Sequence, residues 1–319
     1  MRHASSPPDE RRGARPPGVP RTLATRTLTR CGSCGGHKLR ALPLRYEYRG
    51  QAFPLVECRT CGLRFLSVQP TGASLARLYT ASYFEQDFRC GRSRTSYFAE
   101  DAFRDENRNL LESFERLVPR GRLLEVGCAG GWLLKQATER GWQAKGVELS
   151  ADAVGHALSL GLDVVRGELA EAGFPPSSFD LVYLGDVLEH VPDCHALVAE
   201  VARVLRRGGH LYLRGPITTH SLARSLALGL YRHLPGGIVL REPPYHLWEF
   251  TPRSLQALLR TVGFEVLRLE QSKIPPGPPH GEKTPLQRLA MGMIDALNVP
   301  LTRAFQVWGD RIVVVARKA

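Results

Sequence analysis

The sequence has no hydrophobic run long enough to cross a lipid bilayer. A membrane-spanning helix needs roughly 18–20 predominantly apolar residues, and no apolar stretch in this chain of 319 residues reaches that length. The first 30 residues also lack the apolar segment of a secretory signal and are instead rich in Arg and Pro. We therefore expect a cytoplasmic protein without a transmembrane segment.

Acidic residues are scarce at the beginning of the chain. Residues 1–30 contain seven arginines but only Asp9 and Glu10, so much of the formal net charge of +12 lies there. A basic, Pro-rich segment with few apolar residues does not bury enough surface to fold by itself, and we predict a disordered basic tail over residues 1–28. Such a tail serves as a solubilising extension, which we favour, or it attracts nucleic acid or anionic lipid.

Cysteine is also infrequent, with seven residues in the whole chain, but four of them form two C-x-x-C pairs separated by 23 residues. In a cytosolic protein this pattern favours metal binding over disulfides. Two such turns can present four thiolates tetrahedrally to one Zn²⁺ ion, and four protein ligands leave no open position for catalysis. We therefore predict a structural zinc ribbon over residues 29–68, with the ligands Cys31, Cys34, Cys58 and Cys61.

The remainder of the chain divides by its apolar pattern. Residues 69–120 have apolar side chains at helical spacing and predict a helical linker or cap. From Leu123 onward, short apolar strands alternate with helical segments, which is typical of a parallel sheet with helices on both faces. The predicted fold class is α/β, with a Rossmann-like, mostly parallel sheet over residues 121–319 preceded by the small zinc ribbon.

The stretch LLEVGCAGG combines a strand end with a glycine-rich turn, where doubly wound folds bind their ligands. The dinucleotide fingerprint G-x-G-x-x-G fails, because Ala129 and Trp132 occupy its later positions when counted from Gly127. A carboxylate at Glu125 would oppose a pyrophosphate, but it suits the ammonium and sulfonium charges of S-adenosylmethionine. Glu148, at the end of the next strand, is then placed to accept hydrogen bonds from ribose hydroxyls.

These segments resemble the class I methyltransferases, in particular the large family of ubiquinone-biosynthesis and related small-molecule O-methyltransferases. The resemblance covers roughly residues 122–317. It implies a seven-stranded sheet whose last strand, near residues 311–317, runs antiparallel, and S-adenosylmethionine as the methyl donor. The segments that carry it are LLEVGCAGGWLL, GVELSADAVGHA, VRGELAEAGFPPSSFDLVYLGDVLEHVPD, VARVLRRGGHLYL and HLWEFTPRSLQALLRTVGF.

The same resemblance implies roles for individual residues. It assigns the methionine moiety to Glu125 and Gly127, the ribose to Glu148, and the adenine to Glu168. One departure is Ala129, where many members of the family have glycine; alanine is small, and we expect binding to survive. The whole predicted cofactor site, which includes two residues on the sulfonium side, consists of Glu125, Gly127, Cys128, Ala129, Gly131, Glu148, Leu149, Glu168, Gly185 and Asp186.

Methyl transfer to a hydroxyl also needs a group that removes the acceptor's proton, and near neutral pH this is usually histidine. His190, in DVLEHVPD, follows the fourth strand and so lies on the catalytic edge. His246, in PPYHLWEF, is the second candidate. The alternatives are a structural role for His190 in its loop and an aromatic wall formed by Tyr245 and Trp248 beside His246. Asp186 and Glu189 are weaker candidates for the base. We predict both histidines as catalytic residues.

Two segments, residues 217–245 and 275–305, are insertions relative to the minimal fold of this family. Both contain apolar helical stretches, and such insertions usually cover the acceptor site. We therefore predict a bulky or partly apolar acceptor, that is, a small molecule, a glycan or a lipid-linked intermediate, methylated at oxygen. The arginines interleaved in these stretches also fit peripheral contact with a membrane surface.

Two further functions remain open. Some bacterial rRNA guanine methyltransferases join a zinc module to this fold, so an RNA base is an alternative acceptor. It is disfavoured because the basic charge is concentrated in the tail and the ribbon has few basic and aromatic clusters of the kind that single strands need. A non-catalytic, cofactor-binding scaffold is the other alternative, and the intact set of Glu125, Gly127 and Glu148 argues against it.

The role of the ribbon stays open at the level of sequence: zinc ribbons bind nucleic acid, position a substrate, or stabilise a small fold. The segment CGLRFLSVQPTGASLARLYTASYF resembles the front end of bacterial zinc-ribbon methyltransferases that are associated with secondary metabolites or cell-surface glycans. The resemblance implies a small-molecule or glycan acceptor rather than a nucleic acid.

Overall fold

The computed structural model of the protein describes residues 22–79, 98–99, 103–273 and 285–319. Most of the predicted tail, part of the predicted helical linker over residues 69–120 and the beginning of the insertion at residues 275–305 lie outside the described residues. Fourteen strands are present in the described part of the chain: β1 (Thr25–Thr27), β2 (Leu39–Tyr48), β3 (Gln51–Cys58), β4 (Arg64–Leu66), β5 (Val68–Pro70), β6 (Arg122–Val126), β7 (Gln143–Glu148), β8 (Val164–Arg166), β9 (Phe179–Gly185), β10 (Leu205–Pro216), β11 (Ile238–Leu240), β12 (Trp248–Glu249), β13 (Phe264–Ser272) and β14 (Arg311–Lys318).

The helices begin at the signals that the sequence provides. Ser150 and Asp193 accept hydrogen bonds from the third residue of their helices, and Thr251 forms a capping box with Ser254, followed by Pro252 at the first helical position. The helices in the described part are α1 (Gly72–Ala76), α2 (Arg104–Leu117), α3 (Trp132–Glu139), α4 (Ala151–Ser159), α5 (Cys194–Val204), α6 (Leu222–Tyr231), α7 (Pro252–Thr261) and α8 (Pro285–Phe305). None of them is long and apolar enough to cross a bilayer.

The central sheet has seven strands in the order β13-β14-β10-β9-β6-β7-β8. The five strands from β10 to β8 are parallel, whereas β14 pairs antiparallel with both β10 and β13. Apolar runs such as Leu181–Leu184 are buried on both faces, as expected for parallel strands covered by helices. The predicted Rossmann-like sheet with an antiparallel last strand is confirmed.

The predicted tail extends too far into the folded part of the chain. Residues Thr25–Thr27 form β1, which pairs antiparallel with β5. Leu23 is buried, and its amide and carbonyl groups both bond to the side chain of Gln51. Further hydrogen bonds, such as that from the Leu28 amide to the Ser67 carbonyl oxygen, also hold this segment. The sequence offers no local sign of that long-range pairing.

A second sheet, with the order β11-β2-β3-β4-β12, contains the ribbon strands. Three of its strands come from the predicted ribbon, but β11 and β12 come from the segment between β10 and α7, more than 170 residues later. The ribbon sheet is therefore not confined to residues 29–68. It shares one continuous hydrophobic core with the central sheet.

Candidate functional site

A cavity of about 590 Å³ opens at the carboxyl ends of the parallel strands. A cavity of this size is typical of ligand sites, and this edge of the sheet is where doubly wound folds bind ligands. All ten residues of the predicted cofactor site line it, and so do His190 and His246. The topology of the sheet thus brings the predicted cofactor-binding residues and the two predicted catalytic histidines into one cavity.

The glycine-rich turn after β6 depends on left-handed backbone conformations. Gly127 has a φ angle of 73° and Gly131 one of 84°. A Cβ atom on Gly127 would lie 2.5 Å from the side chain of Val187, and one on Gly131 would lie 2.6 Å from that of Leu162. Only glycine fits both positions, because each combines an unfavourable φ angle with a close neighbour.

Glu148 is fixed by the turn that it faces. Its Oε2 accepts a hydrogen bond of 3.0 Å from the amide of Ala129, and its Oε1 accepts one of 2.9 Å from the amide of Ser150. Burial raises the pKa of this carboxyl group, while the amide donors oppose the rise. Each oxygen keeps a second lone pair, so the side chain can still accept from two hydroxyl groups.

The cofactor side of the cavity also has an apolar surface. Leu149 is 45% exposed although it lies in the cavity wall, and a flat aromatic ring placed there would cover it. The buried indole Nε1 of Trp132, which also lines the cavity, has no hydrogen-bond partner among the described residues. The nucleoside part of S-adenosylmethionine fits these three features: a carboxylate with acceptor capacity left, an exposed leucine and a buried donor.

Other predicted residues have different environments. Glu168 is exposed, and its amide donates to Glu171. Burial, followed by the charges of Glu125 and Glu148, raises the pKa of the Cys128 thiol, which is therefore neutral and acts as a small apolar residue. Sequence reasoning missed Tyr183, which lines the cavity from within β9 and is signalled only by its place in a buried strand.

Asp186 is paired with a residue that the sequence did not single out. Its φ angle of 57° is left-handed, and its carboxylate accepts hydrogen bonds of 2.8 Å at both oxygens from Arg311. Arg214 lies 3.9 Å away. Because this carboxylate is neutralised by arginine, Asp186 is unsuited to act as the base.

His190 is held as a neutral imidazole. Its Nδ1 lies 2.9 Å from the carbonyl oxygen of Tyr245, and since a carbonyl oxygen only accepts, Nδ1 carries the proton and Nε2 keeps a lone pair. Burial, followed by the charge of His246, lowers the pKa of His190 to about 3. The ring is therefore uncharged at neutral pH, and Nε2, which lies 3.7 Å from Oε1 of Glu189, keeps an unshared pair that can accept a proton.

His246 has the opposite character. Its ring centroid lies 4.9 Å from that of His190. Burial opposes protonation, but Glu249, whose Oε1 lies 3.9 Å from Nδ1, together with the charges of Glu189 and Asp186, raises the pKa of His246 to about 9. Burial and the charge of Asp186 raise the pKa of Glu189 to about 8. The cluster therefore contains a neutral imidazole, His190, and a cation, His246, beside the buried carboxyl group of Glu189.

The four ribbon cysteines lie together at the end of their sheet. Their sulfur atoms are all within 4.8 Å of one another, with 3.5 Å between Cys31 and Cys61 and 3.6 Å between Cys34 and Cys58. Tetrahedral zinc thiolates have Zn–S bonds of about 2.3 Å and hence S–S separations of about 3.8 Å. The donor set and its spacing therefore fit one Zn²⁺ ion.

A family model described as a methyltransferase domain matches residues 98–269, more than half of the chain. The chain belongs to this family of methyltransferase domains. The match includes the turn after β6, Glu148 and the loop that carries His190, so it covers most of the cavity described above. The resemblance inferred from the sequence motifs is confirmed.

Curated relatives share the methyltransferase domain but not the whole chain. The ubiquinone biosynthesis O-methyltransferase of Ralstonia nicotianae is 31% identical over 159 residues, which is 46% of this chain and 64% of the relative. The protein of the same name from Xanthomonas euvesicatoria pv. vesicatoria is 33% identical over 153 residues, which is 46% of this chain and 63% of the relative. The chain thus spans less than two thirds of the length of either relative.

Solved structures of methyltransferases are also similar to the chain. A SAM-dependent methyltransferase from Archaeoglobus fulgidus aligns with a TM-score of 0.48 at 19% identity, over 74% of this chain and 98% of that one. A SAM-dependent methyltransferase from Methanosarcina mazei aligns with a TM-score of 0.46 at 17% identity, over 65% and 96%.

Proposed function

We propose that the protein transfers a methyl group from S-adenosylmethionine to an oxygen atom of a small-molecule, glycan or lipid-linked acceptor. The observation that carries the proposal is the shared cavity: two backbone amides fix Glu148 on one side, and His190 is a neutral imidazole whose Nε2 can accept a proton on the other. The relatives named as O-methyltransferases support oxygen as the acceptor atom.

Bound S-adenosylmethionine would supply a methyl group that its sulfonium already activates, so the protein has to align, desolvate and deprotonate the acceptor. Glu148 and Leu149 bind the nucleoside, and the turn with Gly127 lets the backbone approach the ligand. His190 accepts the proton of the acceptor hydroxyl at Nε2, because Nδ1 is committed to Tyr245. The cation His246 lies beside it and stabilises negative charge on the acceptor oxygen.

The experiment uses methyl-labelled S-adenosylmethionine and extracts of the native cell, with and without nuclease. We expect label in a small-molecule, glycan or lipid fraction that resists nuclease. His190→Gln should reduce the labelling by at least about 100-fold, in line with general-base catalysis. His195→Gln, an exposed histidine on α5 outside the cavity, is the matched control and should leave it unchanged.

Other outcomes decide between the alternatives. Label that nuclease removes would favour an RNA acceptor and contradict the proposal. Full affinity for S-adenosylhomocysteine without any transfer to the extract would instead indicate the cofactor-binding scaffold.

We further propose that Cys31, Cys34, Cys58 and Cys61 hold a structural Zn²⁺ ion. Metal analysis of the purified protein should give one zinc per chain. Cys58→Ala should lose most of it, whereas Cys128→Ala, which changes a buried cysteine in the turn after β6 outside the cluster, should retain it. Equal zinc content in the two variants would contradict the proposal.

Peripheral membrane contact is a separate proposal and rests on α6, α8 and the residues that follow them. Exposed apolar side chains there are Leu226, Leu230, Tyr231, Leu234, Met293, Leu297, Phe305 and Trp308. Such side chains beside arginines fit an anionic lipid surface. The protein should sediment with vesicles that contain phosphatidylglycerol more than with phosphatidylcholine alone, and equal sedimentation would contradict this.

The cytoplasmic location also stays a prediction.

A further inference from the structure

The short strand β12 joins the zinc ribbon to the transfer site. On one side it pairs antiparallel with the ribbon strand β4, where Trp248 lies opposite Phe65 and Glu249 opposite Arg64. On the other side, the amides of Leu247 and Trp248 both donate to the carbonyl oxygen of Glu189, at 2.8 and 3.2 Å. One strand therefore bonds to the ribbon sheet and to the residue that precedes His190.

Trp248 strengthens this connection through its side chain. Its indole Nε1 donates a hydrogen bond of 2.7 Å to the carbonyl oxygen of Val191, immediately after His190. The ring packs so closely on Gly32, between the first two cysteines, that a Cβ atom there would lie 2.5 Å from it. The loop after β9 is thus held by an indole that rests on the first cysteine turn.

A line of polar contacts runs from the ribbon to His246. Tyr46, on the ribbon strand β2, donates a hydrogen bond of 3.3 Å to Oε1 of Glu249, and the same oxygen lies 3.9 Å from Nδ1 of His246. Glu249 is only 3% exposed. A buried carboxylate between a phenol and an imidazole fixes both the position and the charge of the imidazole.

We propose that the zinc ribbon forms part of the acceptor site, and that Tyr46 and Glu249 are positioning residues which hold His246 as an oriented cation beside His190. This inference rests on the proposed function, because it gives His246 a task in methyl transfer. It assigns the ribbon the role of building the site, rather than that of binding nucleic acid or folding as an independent unit.

The first test does not depend on the acceptor. The full chain, labelled with ¹⁵N in histidine, is titrated by NMR, and the signals of His246 are assigned from the spectrum of His246→Gln. In the unmodified protein, we expect His246 to keep its proton beyond pH 8. Glu249→Gln retains the side-chain size but removes the charge. Burial then outweighs the remaining charges of Glu189 and Asp186, and the titration midpoint of His246 should fall by about one to two pH units.

Tyr46→Phe and a matched control separate position from charge. Because Tyr46→Phe leaves the charge of Glu249 in place, the titration midpoint of His246 should move by less than about half a pH unit. Transfer of label should nevertheless fall at least about fivefold, since a loosely held imidazole is poorly aligned with the acceptor. Glu47→Gln alters the neighbouring residue on β2, which pairs with Arg45, and should change neither quantity. Glu249→Asp should restore part of the transfer.

Affinity for S-adenosylhomocysteine should be the same in all these variants, which shows that the fold and the cofactor side are intact. An unchanged His246 midpoint in Glu249→Gln would overturn the inference, and so would full transfer in Tyr46→Phe. Absence of transfer in the unmodified protein, with the expected NMR titration, would instead contradict the proposed function alone.

Discussion

Arg311 donates from one guanidinium nitrogen to both carboxylate oxygens of Asp186, at 2.8 Å each. The two residues are 125 positions apart in the chain. Asp186 ends the fourth parallel strand in a left-handed conformation, and Arg311 begins the antiparallel strand β14, which completes the sheet. The last strand thus supplies the shortest ion pair of the Asp186 carboxylate, beside the longer one of 3.9 Å with Arg214.

Removal of this arginine should destabilise the protein. In Arg311→Met the half-buried Asp186 loses its principal partner, and we expect the free energy of unfolding to fall by about 1–3 kcal/mol. Urea denaturation followed by circular dichroism measures the change. Arg268→Met, which breaks an exposed pair with Glu270 on β13, is the control and should cost less than about 0.5 kcal/mol. Equal losses in the two variants would refute a special role for Arg311.

Glu148 should contribute far more to cofactor affinity than Glu168. Glu148→Gln keeps one oxygen acceptor but replaces the other with an amide nitrogen beside a backbone N–H group. We therefore expect at least about a tenfold loss in affinity for S-adenosylhomocysteine by calorimetry. Glu168→Gln changes an exposed acid in the same cavity wall, and its effect should stay within about threefold. The reverse order would show that the ribose is bound elsewhere.

The left-handed turn should not tolerate a side chain at Gly131. In Gly131→Ala, the added methyl group meets Leu162 in a backbone conformation that alanine resists, and we expect a loss of about 1–3 kcal/mol. Gly155→Ala is the matched control, because Gly155 lies within α4 with open space around its Cβ position. That variant should stabilise the protein by up to about 1 kcal/mol. Thermal denaturation of both variants should show that Gly131→Ala lowers the stability and that Gly155→Ala raises it.

The sequence could predict the central sheet, and it could name residues that line the cavity at its carboxyl edge, because their signals are local. Short apolar strands, Gly127 and the strand-end acids Glu125 and Glu148 occur in segments of a few residues each. The pairing of β1 with β5 and the addition of β11 and β12 to the ribbon sheet could not be predicted, since they join segments far apart in the chain.

The same limit applies to the transfer site. His190 and His246 could each be named from their own motifs, but not their contact at 4.9 Å or their opposite charge states. Those depend on burial and on partners such as Glu249, which come close only when the segment after β10 folds back onto the loop after β9. Arg311 carried no local signal at all.

The last prediction concerns acid stability and the ion pair between α2 and the end of α3. Arg140 donates hydrogen bonds of 2.9 and 2.8 Å to the two oxygens of Glu115. These bonds, assisted by Arg120, lower the pKa of Glu115 from 4.5 to about 2. Because the folded state has the lower pKa, the pair's contribution is complete above pH 4.5 and disappears as the pH falls towards 2.

Glu115→Gln should therefore reduce the free energy of unfolding at pH 7 but have little effect near pH 2. The full pKa shift of Glu115 would correspond to about 3 kcal/mol of stability. Because the side chains of Glu115 and Arg140 are partly exposed, solvent screening should reduce this contribution to about 1–2 kcal/mol. Urea denaturation at pH 7, 4 and 2.5 measures how the difference in the free energy of unfolding between the unmodified protein and Glu115→Gln decreases. Glu139→Gln, which alters an exposed acid 4.0 Å from Lys135 on α3, should cost less than about 0.5 kcal/mol at pH 7. If the difference in the free energy of unfolding stays constant with pH, Glu115 stabilises the helix contact by packing rather than by charge.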